Sequence, residues 1–321
     1  MPSEFDLIRK YFTRPTTHTR LGVGDDCALV VARPGYELAI STDMLVSGTH
    51  FFPDAEPRQL GHKVLAVNLS DLAAMGAEPR WCTLAAALPH VDEDWIAAFA
   101  EGFFGLAKRF EVDVIGGDTT RGPMNFCVTI MGEVPAGTAL TRSGAEVSDD
   151  IWVSGELGGA ALALAHLQGR TRLDGATLAH CLPRLNTPEP CVALGLALRG
   201  IANSCIDISD GLLADLRHIR DRSAVGAELW LATLPRSAAL KNHADQALAE
   251  TCVLSGGDDY ELCFTAPVSA RVTVEEAAGR TATKVTRVGI TTATSGLSVL
   301  DAAGNPIQIT TSGFDHFKQQ A

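Results

Sequence analysis

Aspartates recur at the abrupt ends of apolar segments, mostly beside glycine: Gly24-Asp25-Asp26, Ser41-Thr42-Asp43, Gly116-Gly117-Asp118, Asp207-Ile208-Ser209-Asp210-Gly211 and Gly256-Gly257-Asp258-Asp259. Any one of these is ordinary turn chemistry. Taken together they suggest carboxylates meeting in one crevice, because strand ends in layered α/β structures open onto a shared cleft. Carboxylates so gathered repel one another unless cations neutralise them. The ligands on offer are all oxygen, with the hydroxyls of Ser41 and Thr42 beside Asp43, and such a set suits Mg²⁺ better than zinc or copper. Magnesium keeps part of its water and shares its shell with substrate phosphates, which points to a nucleotide. Glycine next to the acids lets backbone N–H groups approach phosphate oxygens closely. The common nucleotide fingerprints are nevertheless missing: no Gly-x-x-x-x-Gly-Lys-Ser/Thr, no protein-kinase loop set, and Gly22-Val23-Gly24-Asp25-Asp26-Cys27 lacks the third glycine of the dinucleotide pattern.

The elements that must position these acids can be read from periodicity and punctuation. Ser3 and Asp6 form a capping box for a helix running to Phe12, and Pro34-Gly35 splits a candidate β-hairpin whose second arm, Glu37 to Thr42, ends at Asp43. A helix from about Pro57 to a Gly76 stop carries Val67 to Leu72 and puts Asp71 near its C-terminal end. Strand Trp81 to Leu88, helix Asp92 to Arg109, and strands Val112 to Ile115 and Phe126 to Val134 follow. The polar stretch Pro135 to Asp150 reads as a linker, giving two α+β domains, residues 1–137 and 138–321. In the second, strand Ile151 to Ser154, a helix opened by Gly158-Gly159, a helix near Glu189 to Ile201 and strand Cys205 to Ile208 lead into Ser209-Asp210-Gly211.

Composition bounds the partners. The 321 residues are 46% hydrophobic and 20% charged, and 26 basic against 38 acidic residues give a net charge of −12. That balance argues against a nucleic-acid or anionic-membrane surface. No apolar run approaches the roughly 18 residues of a membrane span, and the N-terminus lacks the basic start and apolar core of a signal peptide, so a cytoplasmic protein is expected. The eight cysteines include no Cys-x-x-Cys pair, so mostly buried, reduced thiols are expected.

The segments Gly22-Val23-Gly24-Asp25-Asp26-Cys27-Ala28, Ser41 to Val46, Val67 to Ala77, Ile115 to Gly122, Leu140-Thr141-Arg142-Ser143-Gly144, Ile206 to Leu212 and Ser255 to Leu262 together resemble the signature set of thiamine-monophosphate kinases. The likeness runs in order from residue 5 to about 317. It implies two α+β domains of the aminoimidazole ribonucleotide synthetase-like type, with the N-terminal domain, which binds ATP and Mg²⁺, pairing across a homodimer and the C-terminal domain completing the nucleotide and substrate site. It implies ATP-dependent phosphorylation of thiamine monophosphate to thiamine diphosphate with several Mg²⁺ ions. Carried over by position, it makes Asp26, Ser41, Thr42, Asp43, Asp71, Asp118, Asp207 and Asp210 metal ligands or near neighbours. Gly117, Asp118, Arg142 and Ser209 would surround ATP, and His50, Asp258 and Phe314 would contact the thiamine phosphate. Position 258 is often Glu in the family and 314 often Tyr or Trp, so the thiamine pocket is where this sequence departs.

Read alone, several of these residues have plainer roles. His50 is equally a surface-loop histidine, Arg142 a solvated arginine and Phe314 a plug at a core edge; it is the resemblance that moves each to a ligand contact. Cys27 would interest a selenophosphate synthetase, a relative using a nucleophilic Cys with a nearby Lys, but no Lys lies close and a buried strand cysteine is expected. The acceptor phosphate, with a second pKa near 6, is already anionic at neutral pH, so no acid, base or nucleophile is nominated; metal-assisted, direct in-line transfer is expected. Two alternatives stay open: another ATP-using enzyme of the same group, such as one closing an imidazole ring, and a nucleotide-binding maturation factor without turnover.

Overall fold

The computed structural model describes residues 3–308. The chain divides into two compact units. The first comprises residues up to Leu72 with Ala77–Gly137, and the second Ala73–Gly76 with residues from Thr138 onward.

In the first unit a short helix α1 (Glu4–Leu7) continues as one π-helical turn over Ile8–Phe12. The capping box forms, with Ser3 Oγ donating to Asp6 Oδ2 at 2.8 Å and the Asp6 N–H donating to Ser3 Oγ at 3.2 Å. Two short strands, β1 (Thr19–Leu21) and β2 (Leu29–Val30), pair with each other. β3 (Tyr36–Val46) pairs instead, along its whole length, with a strand far along the chain. The hairpin expected around Pro34-Gly35 is therefore absent. The turn is there, with Gly35 at φ +80°, but it redirects the chain from one sheet to another.

Helix α2 (Pro57–Ala74) leads to β4 (Glu78–Leu88), α3 (Glu93–Arg109), β5 (Asp113–Arg121) and β6 (Asn125–Pro135). The sheet order is β3-β6-β4-β5, antiparallel except for the β4–β5 pair that α3 connects. Why α3 forms is plain from its residues. The Asp92 carboxylate accepts from the N–H groups of Asp94 and Trp95, acids open the first turn, and Lys108 and Arg109 close the last. Its buried face, Ile96, Phe99, Ala100, Phe103, Leu106 and Ala107, follows helical spacing. Phe99 stacks on Phe126 of β6, ring centroids 4.5 Å apart.

The second unit contains β7 (Asp150–Ser154), α4 (Gly159–Leu167), α5 (Gly175–Asn186), α6 (Val192–Leu198), β8 (Ser204–Asp207), α7 (Leu212–Ser223), β9 (Gly226–Trp230), α8 (Ala238–Lys241), α9 (Gln246–Ser255), β10 (Leu262–Ala266), α10 (Arg271–Arg280), β11 (Val285–Thr292) and β12 (Leu297–Leu300). Its six strands run β12-β9-β11-β7-β10-β8. Ile151 and Val153 of β7, with Leu216 and Ile219 of α7, Leu229 and Val253, belong to its continuous apolar core. Asp150, fully buried at the start of β7, takes two bonds from Arg271, at 2.5 and 2.8 Å, and one from Arg287 at 3.3 Å. Burial alone would raise that carboxyl; the two guanidinium groups outweigh it and hold it below its usual value. All eight cysteines are free, five of them buried. No helix among the described residues is long and apolar enough to cross a membrane.

Candidate functional site

The acids of the first unit are placed by the pleat of β3. Side chains alternate faces along a strand, and Ser41, Asp43 and Leu45 are the more covered set while Ile40, Thr42 and Met44 are exposed. On the covered face Ser41 Oγ donates to Asp71 Oδ2 at 2.5 Å. The Asp43 N–H, on an edge strand, donates to Asn68 Oδ1 at 3.2 Å. Asn68 and Asp71 are three residues apart and share one face of α2, and the fully buried Asn68 is fixed by its own bond to Val64 O at 3.0 Å. One strand and one helix thus bring Ser41, Asp43 and Asp71 together.

Asp71 occupies the last turn of α2, where the helix presents the negative end of its dipole. An acid there is disfavoured unless a cation sits beside it. The donor set fits Mg²⁺ in kind, being oxygen only. Among the described residues no three His, Cys, Asp or Glu side chains close on one point.

Thr42 does not belong with this group through its side chain. It points to the other face of β3, its hydroxyl 2.9 Å from Thr129 Oγ1, because neighbouring strand residues cannot share a face. Asp118 is exposed on β5, which continues well past the expected end at Ile115. Gly117 before it has φ +151°, and a Cβ there would lie 1.8 Å from Leu84 O, so only glycine lets the strand pass. Asp43 and Asp118 stand on opposite edge strands of the sheet. Three strand spacings, roughly 14 Å, separate their rows, too far for both to ligate one Mg²⁺ within one copy. Asp26 is exposed in the loop between β1 and β2, after Gly24 at φ +126°. Cys27 is exposed in that loop too, not buried in a strand, since pairing resumes only at Leu29.

His50 sits in the turn after β3. Its N–H donates to Val46 O at 2.9 Å, and its Nδ1 accepts from the Val46 N–H at 2.9 Å. A ring whose Nδ1 accepts carries its proton on Nε2, which makes that atom a donor suited to an anionic ligand.

In the second unit Asp207 ends β8, buried, and the chain turns through Ile208, Ser209, Asp210 and Gly211 into α7. The organiser of that turn is Asp215, an acid that none of the sequence motifs contains. Its Oδ2 accepts from the N–H groups of Ser209, Asp210 and Gly211 at 3.1, 3.0 and 3.1 Å. Burial pushes this carboxyl up to about 7, the Asp210 charge adds to the rise, and the three amides pull against it. The available signal was an acid one turn inside a helix that opens with Ser-Asp-Gly.

The loop from Gly256 to Glu261 lies against that turn. The Asp258 N–H donates to Ser209 O at 2.9 Å, the Tyr260 N–H to Ile208 O at 2.8 Å, and the Ile208 N–H to Glu261 O at 2.7 Å. Asp259 turns inward, both carboxylate oxygens 2.9 Å from the Gly158 N–H at the start of α4. Burial raises its carboxyl well above the ordinary range. Glu261, also buried, takes a 2.5 Å bond from Ser154 Oγ and a 3.2 Å bond from Arg184. Of the acid pair in this loop Asp258 alone is half-exposed. Arg142 is exposed in the stretch before β7, anchored where Thr141 O accepts from the Cys205 N–H at 2.8 Å. Phe314 lies outside the described residues.

A family model described as AIR synthase related protein, N-terminal domain, matches residues 24–134. The thiamine-monophosphate kinase of Escherichia coli is 47% identical over 319 residues, which cover 98% of each chain. The crystal structure of thiamine-monophosphate kinase from Stenotrophomonas maltophilia superposes with a TM-score of 0.84 at 46% identity, covering 90% of this chain and 92% of the other. A structure of AaThiL complexed with AMPPCP and TMP superposes at TM-score 0.78 and 27% identity, covering 89% of each chain. With nearly half of all positions identical from end to end, in the two-unit α+β architecture just described, the chain belongs to the thiamine-monophosphate kinase family.

Proposed function

We propose that this protein transfers the terminal phosphoryl group of ATP directly to the phosphate of thiamine monophosphate, giving thiamine diphosphate and ADP, with several Mg²⁺ ions. The observation that carries the reading is the meeting of β3 and α2, where Ser41 bonds Asp71 and the Asp43 backbone bonds Asn68, in a chain 47% identical to a thiamine-monophosphate kinase. The AaThiL complex with AMPPCP and TMP supports ATP and thiamine monophosphate as the pair of substrates.

Bound Mg²⁺ would neutralise the facing phosphate oxygens and favour in-line displacement. This chain's residues supply the rest. Asp43 and Asp71, with Asp26, Asp118, Asp207 and Asp210, hold the cations. The backbone around Gly117 and the turn at Ser209 receive the nucleotide phosphates, with Arg142 offering a planar fork to a phosphate. His50 donates from Nε2 to the acceptor, and Asp258 accepts from it. No side chain needs to remove a proton, because the attacking phosphate oxygen is already ionised near neutral pH. Positioning and charge stabilisation are the whole of the catalytic task.

The exposed apolar row Leu38, Ile40 and Met44 on the outer face of β3 supports pairing of this sheet in a homodimer, since such patches mark protein contacts. Asp118, too far from Asp43 to share its ion in one copy, then serves the site of the other. The decisive measurement is ADP release from Mg-ATP with and without thiamine monophosphate. Acceptor-dependent release with inversion at a chiral γ-phosphorus is expected; ATP binding without acceptor-dependent release would instead favour a maturation-type partner, and retention would mean a phospho-enzyme.

A further inference from the structure

Asp258 and Tyr260 are the strained pair of the second unit's site. Both have left-handed backbones, φ +66° and +50°, although neither is glycine. A non-glycine residue held there is strained and persists only when its surroundings over-determine it. Here they do. Between the two, Asp259 is pulled inward onto the Gly158 N–H, while the N–H groups of Asp258 and Tyr260 are drawn the other way onto Ser209 O and Ile208 O. The alternation forces the side chains on either side of Asp259 to the same side of the loop. As a result the Tyr260 hydroxyl donates to Asp258 Oδ1 at 2.9 Å, across only two residues. A Cβ at Gly257 would lie 2.5 Å from Ser209 O, so the loop and the turn meet at backbone distance.

We propose that Tyr260 is a positioning residue for acceptor recognition: its hydroxyl fixes the Asp258 carboxylate in the orientation that meets the amino-bearing pyrimidine ring of the acceptor. The proposal rests on the phosphotransferase reading above. It adds a consequence for specificity. Aspartate is a short side chain with few rotamers, and a tethered carboxylate is held in one direction, which discriminates by geometry as well as by charge. Because Asp258 hangs from the carbonyl of Ser209, the nucleotide turn and the acceptor group keep a fixed spacing.

The test uses the full-length protein and steady-state ADP release. Tyr260→Phe removes only the hydroxyl. We expect about a tenfold rise in KM for thiamine monophosphate, the loss of one charge-assisted hydrogen bond, with kcat and KM for ATP within about twofold of wild type. The same substitution in a D258A background should change nothing further, because the tyrosine acts through that carboxylate. An unchanged acceptor KM in Y260F, an equal rise in KM for ATP, or a full additive penalty in the double variant each overturns the proposal. Wild-type protein releasing no ADP on addition of thiamine monophosphate overturns the reading beneath it, whatever Y260F does, so the two failures are told apart.

Discussion

At the scale of single residues, the structure separates two neighbours that look alike in sequence. Ser41 bonds Asp71 on the helix side of β3, and Thr42 bonds Thr129 on the other. Thr42→Val should therefore leave kcat within about twofold, whereas Ser41→Ala should raise the Mg²⁺ concentration needed for half-maximal rate; a loss of activity in T42V comparable to that of S41A would return the Thr42 hydroxyl to the metal site. Asp43→Asn and Asp71→Asn remove charge at constant size and should each lower kcat by at least about a hundredfold. Asp71 also sits at the unfavourable end of α2, so D71N should not lower the melting temperature and gains up to about 1 kcal/mol from the helix dipole, offset by the weaker Ser41 bond. A melting temperature that drops together with activity in both variants would mark these residues as structural. That Asp43 and Asp71 are candidate ligands was legible only from the recurrence of such acids along the chain and from the family resemblance; that β3 and α2 meet at Ser41 and Asp71 was not. Nor was Asp215, since an acid in the first turn of a helix reads as ordinary dipole compensation until its three amide donors are seen.

Elements carry the next level. The short-range rules for α3 hold from cap to last turn, because a side-chain cap, end charges and a helical apolar stripe are all properties of neighbours in sequence. The Pro34-Gly35 turn shows where such rules stop: turn and strand both form, but β3 takes β6 as its partner, with Leu38 opposite Glu133 far along the chain. Strand pairing is a competition between surfaces, and local signals do not rank distant partners. The element most exposed to acid is β7. The two guanidinium groups hold Asp150 below its usual carboxylate range, near 3.8, so its contribution is present above that range and lost as pH falls through the lower, folded value. Asp150→Asn should cost about 3 kcal/mol or more at neutral pH, by leaving Arg271 and Arg287 without their buried counter-ion. Urea midpoints measured from pH 7 to 2 should show the gap between wild type and D150N closing below about pH 3.8; a gap independent of pH would mean that packing, not charge, is lost.

For the whole molecule, Asp43 and Asp118 stand on opposite edge strands of the first unit's sheet, and the proposed homodimer, with Asp118 serving the partner's site, can be tested directly. Co-expressing differently tagged D43N and D118N subunits should recover activity in the mixed dimer, since one of its two sites then carries neither substitution. Mixed dimers as inactive as their parents would place both acids in the site of one chain. By itself the sequence determined that the segments alternate as α+β and which family their ordered motifs resemble, and it singled out the acids proposed as oxygen ligands. These follow from local chemistry and short-range periodicity. Only the tertiary structure decided that Thr42 turns away, that Asp118 lies at the far edge from Asp43, that Asp215 gathers the Ser209–Gly211 turn, and that Tyr260 bonds Asp258 across a buried Asp259. Each depends on which face or edge of a sheet a residue occupies, and that is set by long-range pairing and burial.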